Sequence, residues 1–274
     1  MSSGFEWRQV RVIAAKEWRD RLRNRWLLAV ALVFAVFALA IGYFGAAQQG
    51  QVGFHGIEAT IASLASLVIY LVPLIALILG YDAVVGERER GALELLLSMP
   101  ISRLEVLCGK YLGLAAALAT ATALGFGVGI LPLFNELSVA DGTRYAWFVA
   151  TAVLMGWAFL SIAVFVSVIA TDRVRASGAA LALWFFFVLV FDLLLMGALV
   201  VSGGGLDSGV FAALLMLNPA DVFRLLNVFS SDQAQGMYGL ATVMPPGWTH
   251  PAALFAVMFA WTALPFYFAH RRFK

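Results

Sequence analysis

Charge is what this chain has least of. Asp, Glu, Lys and Arg make up 12% of its 274 residues, against roughly 25% in soluble domains. Apolar residues reach 62%, with a mean hydropathy of +0.91. That balance excludes an ordinary soluble domain and makes the chain an integral membrane protein, with the lipid bilayer as its solvent. Its one cysteine, Cys108, excludes an internal disulfide framework and reads as a small packing residue. A net charge of +2 points to no nucleic-acid partner.

Catalytic signatures are missing as well. The one Gly-Lys pair, Gly109-Lys110, has Leu104 where a Walker A loop needs its first glycine, and Tyr111 where Ser or Thr should follow. The chain is therefore not expected to bind or hydrolyse ATP itself. No HExxH, GxSxG or CxxC occurs, and the three histidines, His55, His250 and His270, are scattered over loops. His55 and His250, with Met237 or Met244 as soft neighbours, read as solvated residues, so no metal, cofactor or catalytic residue is expected.

What the chain does have is long apolar runs. A hydrocarbon core of about 30 Å asks for about 20 such residues in a helix. Six runs qualify: Trp26–Ala46, Ile61–Tyr81, Tyr111–Phe134, Ala146–Ala170, Ala176–Val201 and Ala252–Ala269. Trp26, Trp147, Trp248 and Tyr111 stand at their ends, where amphipathic rings settle at the headgroups. Sixteen of the eighteen Lys and Arg residues lie in the N-terminal segment, the 82–110 loop, the 171–175 loop and the C-terminal tail; Arg144 and Arg224 are the exceptions. The positive-inside rule then places both termini in the cytoplasm, as an even number of spans also requires. No cleavable signal peptide is expected, because 25 largely polar residues precede the first run.

Residues 1–25 place Trp7, Val10, Ala14, Trp18 and Leu22 on one helical face and Arg8, Arg11, Arg19 and Arg23 on another, the pattern of an interfacial helix rather than a merely basic tail. Residues 26–274 then form the transmembrane domain. The outer loop 202–250 is long, with an apolar stretch Val210–Leu217 and a second helical piece opened by Asn218-Pro219. Two interfacial helices over the outer mouth, or a docking platform for an extracytoplasmic partner, fit equally well. In the latter case Asn218, Pro219, Asp221 and Arg224 are the candidate contacts.

Two acids need a role. Asp192 lies well inside the fifth run, where a carboxylate must face the bundle interior, a water-filled cavity or a hydrogen-bonding neighbour. Asp82 ends the second run at the cytoplasmic boundary, too shallow to share a proton with Asp192 as an aspartyl dyad would. Gly109 with Gly113, and Gly125 with Gly129, have the spacing that lets helices approach closely, within a subunit or across a dimer. Pro73 and Pro132 suggest kinks.

The segment 82–110 is charged, leucine-rich and sharply punctuated. Glu87 to Arg90 form a mixed-charge turn; Ala92, Leu93, Leu95, Leu96 and Leu97 give a short helix apolar on most of its surface; Pro100 ends it. Ser102 and Glu105 then make a capping box that starts the next helix at about Arg103. Asp82, Gly86, Glu87, Gly91, Leu93, Glu94, Leu96, Leu97, Ser98, Pro100, Ser102, Arg103, Glu105, Gly109 and Lys110 follow the pattern of, and the chain resembles, the ABC-2 type transporter permease family. The blocks RNRWLLA, ATIASLASL, LVFDL and LNPADVFRLLN carry the resemblance over nearly all of its length, toward the branch of that family that serves nitrous oxide reductase.

The resemblance implies an all-α, six-helix permease of the type V exporter kind that homodimerises. It implies a separate ATPase subunit docked through the helix after Glu87, with Glu87, Arg88, Leu93, Leu96 and Leu97 as coupling residues. It also implies a periplasmic β-helical subunit on the outer face, a copper chaperone, and a role in assembling the copper cluster of periplasmic nitrous oxide reductase. ATP would be bound by the partner alone. The family's usual Gly-Thr after the charged turn is Gly91-Ala92 here, so a threonine contact to the ATPase is absent. The alternatives are an exporter of a lipid or other amphiphile, and an ion-coupled carrier using Asp192; binding of a separate ATPase separates the third reading from the first two.

Overall fold

A computed structural model describes residues 5–23, 25–44, 57–133, 138–203, 207–228 and 250–273. His55, Met237, Met244 and Trp248 lie outside these residues. The described residues are helical throughout, without strands: α1 (Trp7–Arg23), α2 (Trp26–Phe44), α3 (Ile57–Gly80), α4 (Val85–Glu89), α5 (Ala92–Leu97), α6 (Arg103–Gly129), α7 (Val139–Ile169), α8 (Arg173–Phe185), α9 (Phe191–Val201), α10 (Ser208–Leu215), α11 (Pro219–Val228) and α12 (Pro251–Arg272). Among the described residues, six stretches are long and apolar enough to cross a membrane: α2, α3 continued into α4 (Thr60–Glu89), α6, α7, the continuous α8–α9 and α12.

Their starts follow local chemistry. Ser102 and Glu105 form the expected reciprocal cap on α6. A second box, Ser138 with Asp141, opens α7 at Val139, seven residues before the apolar run begins. Pro132 falls in a short 3-10 turn after α6 and kinks no span, whereas Pro73 lies inside α3 and Pro265 inside α12.

α7 is the axis of the bundle, packed by α3, α12, α6 and α11, with Phe148, Met155, Phe159 and Val164 fully covered. α6 is the second axis. α1 and α2 lie along it one after the other, running in the same direction, joined at Arg25 with φ 53. Glycine makes the approach possible. A Cβ on Gly109 would stand 2.6 Å from the Ile13 Cβ, and one on Gly113 2.6 Å from the Ala14 carbonyl. Gly125 and Gly129 admit Phe34 and Ala38 of α2 in the same way. Both small-residue pairs are thus spent inside the subunit, and they no longer speak for a dimer. α1 is the amphipathic helix expected, but its Val10, Ile13 and Ala14 face is taken up by α6, leaving Trp7 and Val12 exposed.

α10 and α11 meet at a 110° bend. α11 packs on α7, α12 and α3. Side chains reach out to satisfy carbonyls of the bent pair: the Trp261 indole N–H donates to the Met216 carbonyl at the end of α10 at 3.0 Å, and that of Trp147 to Leu226 of α11 at 3.3 Å. Trp147, 36% exposed, and Tyr111, both expected as headgroup anchors, spend their polar tips on carbonyls of the subunit, Tyr111 donating to the Trp157 carbonyl at 3.1 Å.

Candidate coupling site

The segment between α3 and α6 is two short helices, not one. Gly91, at φ 70, turns the chain through the left-handed region between α4 and α5, a conformation that costs a residue with a Cβ about 1 kcal/mol. α4 has no cap of its own. Ser167 of α7 supplies one, its hydroxyl oxygen accepting the backbone N–H groups of Val84 and Val85 at 2.9 and 3.1 Å. Arg88 returns the favour at the C-terminus of α7, donating to the Val168 and Ala170 carbonyls at 3.1 Å each, where the helix dipole also favours a cation.

The charged turn is anchored on three other elements. Glu87 pairs at 2.6 Å with Lys110, whose ammonium is almost fully buried and also meets Glu17 of α1 at 3.2 Å. Asp82 receives Arg173 of α8 at 2.6 Å, and Glu89 accepts the Arg173 backbone N–H at 2.7 Å. Gly86 is bare because the Asp82 carboxylate fills the space a Cβ would need. Burial works against the charge of Glu17, but Lys110 and Lys16 outweigh it and hold its carboxyl below the usual carboxylate range.

The expected coupling residues divide. Glu87 and Arg88, expected at the rim of a partner's groove, are turned inward and engaged as described. Leu93 is buried in the subunit's own core, and Leu96 and Leu97 are half-buried against it. The ridge left for a partner is Leu95, 68% exposed, with Met99, 50% exposed. Sequence placed Leu95 on the right helix, but a helix of six residues is too short to reveal which side faces out. The segment contributes no chemistry; it presents an apolar ridge fixed to α1, α6, α7 and α8 at once.

A polar cluster lies between α9 and α11. Arg224 donates to Asp221 at 2.6 Å and to Asp192 at 3.1 Å. Asn218 donates to Asp221 at 3.0 Å and to the Phe187 carbonyl at 2.8 Å. Phe187 belongs to Phe186–Val190, a π-helical insert between α8 and α9 whose wider turn frees carbonyls for such outside donors. Asp192 thus has its hydrogen-bonding neighbour, and Asn218, Pro219 and Asp221 are buried, Arg224 half-buried. The four outer docking candidates hold the bent pair to the bundle instead of lying on its surface. Asn227 and Thr151, bonded at 3.0 Å, extend the cluster toward α7.

The residues of the 82–110 pattern therefore answer one another in space, Asp82 with Gly86, Glu87 with Lys110 and Ser102 with Glu105. A family model described as ABC-2 family transporter protein matches residues 11–274. The chain belongs to the ABC-2 transporter family. Two curated relatives carry the description "Probable ABC transporter permease protein NosY". That of Pseudomonas aeruginosa is 45% identical over 268 residues, 96% of either chain. That of Stutzerimonas stutzeri is 43% identical over 273 residues, 97% of this chain and 98% of the relative. With six apolar spans, this is a multi-pass inner-membrane protein and a permease subunit of an ABC transporter. Among the described residues, no group of three or more His, Cys, Asp or Glu residues could hold a metal ion.

Proposed function

We propose that this chain is the membrane half of a NosDFY-type transporter, in which a separate NosF-like ATPase docks on the α4–α5 segment and drives two copies of the permease. The work done serves a NosD-like β-helical subunit on the periplasmic face and, through it, assembly of the copper cluster of nitrous oxide reductase. The observation that carries the reading is the exposed Leu95 and Met99 ridge, tied by Glu87, Arg88, Asp82 and Glu89 to α6, α7 and α8. A solvated linker needs no such ridge, and a floppy one could not pass on force. The full-length similarity to permeases named NosY supports the narrower assignment. The ion pair of Asp192 with Arg224 supports a structural role for this carboxylate over ion coupling.

The test is co-purification of the permease with its ATPase, together with hydrolysis rate and the copper content of nitrous oxide reductase matured in the same cells. The reading requires that Leu95→Asp sheds the ATPase and that cells carrying it make a cluster-deficient reductase. A permease that matures the reductase fully without any bound ATPase would overturn it.

A further inference from the structure

The α8–α9 helix is the most lightly held of the long spans for its length. Of its residues 173–201, Ala176, Ala180, Phe187, Val188 and Leu195 are buried, whereas the neighbouring α7 is covered along most of its length. Polar contacts do much of the holding, and they fall at three levels. At the basic end, Arg173 is gripped twice by the coupling segment, side chain to Asp82 and backbone to Glu89. Eleven residues on, the Trp184 indole N–H donates to the Tyr70 carbonyl of α3 at 2.9 Å. Beyond it the π-helical insert and Asp192 are held by Asn218 and Arg224 of the bent pair.

We propose that α8–α9 is a lever that carries movement of the coupling segment to the bent α10–α11 pair, with Arg173 as its input, Trp184 as its pivot and Asn218 with Arg224 as its output. The proposal rests on the coupling reading above and names its route. At a rise of about 1.5 Å per residue, input and output stand roughly 16 and 12 Å from the pivot, so a displacement at Arg173 reappears at about three quarters of its size and in the opposite sense at Asp192. Side-chain bonds suit such a part. An arm locked by interdigitated core packing would resist tilting, whereas one held at three points can rotate about the middle one. The π-helical insert Phe186–Val190 lies at the output end, a local departure from α-helical geometry of the kind frequent at functional sites.

The experiment uses the assembled transporter with its ATPase. An environment-sensitive fluorophore is placed on Leu217→Cys, an exposed position in the α10–α11 bend, with Cys108→Ala removing the native thiol. In the otherwise native complex, ATP should change the emission. Arg173→Gln, which leaves the Glu89 backbone contact in place, should keep ATPase binding and hydrolysis but lose the emission change. Arg173→Lys, retaining a charged donor for Asp82, should restore it. An undiminished emission change in Arg173→Gln would overturn the lever while leaving the coupling reading intact. Absence of ATP-driven change in the native complex would sink both. A general loss of fold is separated by hydrolysis, which the lever requires to persist.

Discussion

Lys110 is the residue on which most depends. Its ammonium is buried between Glu17 and Glu87, and removing one member of a buried ionic cluster leaves the others charged and uncompensated, at a cost of about 3 to 5 kcal/mol. Lys110→Met should therefore lower the thermal unfolding midpoint of the purified protein sharply, and an unchanged midpoint would mean that water reaches both carboxylates. Glu17 also predicts a pH dependence. Its carboxyl is depressed in the fold, so its contribution is fully present above the ordinary carboxylate value of about 4.3 and is lost as pH falls through the lower folded value. Hydrogen exchange of the α1 amides should stay slow from neutral pH down to that point and quicken below it; loosening already near pH ~6 would assign the docking of α1 to another group. Arg224 and Asp192 illustrate what a sequence hides. Thirty-two residues separate them, and Arg224 sits in a stretch that length and composition assign to an outer loop.

At the scale of the element, the decisive contrast is within α5. Leu95→Asp changes an exposed side chain and should leave the stability of the permease alone while releasing the ATPase. Leu93→Ala opens a hole in the core and should cost about 2 to 5 kcal/mol without touching the ridge. Unfolding of each variant in detergent, beside co-purification, tells them apart; loss of the ATPase from Leu93→Ala alone would move the docking face. The α6 start was readable because a capping box is a local signal, carried by Ser102 and Glu105 three residues apart. Ser138 and Asp141 carry the equivalent local signal at the start of α7. Which leucine points outward was not readable, since Gly91 resets the helical phase just before α5. Nor was the bend between α10 and α11. Each piece is too short to cross a bilayer alone, and only the packing of α11 on α7 and α12 shows that it joins the bundle.

For the whole molecule, hydropathy made the six spans legible, because lipid imposes length and composition more strictly than water does. Which span meets which was not legible, since nearly every residue in them is apolar and one apolar face looks like another. The charge distribution sets the remaining expectation. With Cys108 replaced, a cysteine at Ser98 should react with an impermeant reagent only from the cytoplasmic side, and one at Val139, 90% exposed, only from the periplasmic side. Labelling of Ser98 from outside would invert the subunit and detach the coupling segment from any cytoplasmic ATPase.

The alignment of α1 and α2 along α6 has a consequence for how the protein is made. Two helices that run in the same direction cannot form a hairpin, so when the first span leaves the ribosome its partner does not yet exist, and α3 must be inserted before α6 appears. Through that interval α2 waits in lipid, which its sequence tolerates because every residue from Trp26 to Phe44 is uncharged. α1 has no such refuge, for Glu17 and the basic face beside it exclude it from the bilayer. The N-terminal helix must stand on the membrane surface until Lys110 is synthesised, and the closing of Glu17 onto that lysine marks the moment when the first half of the subunit is complete.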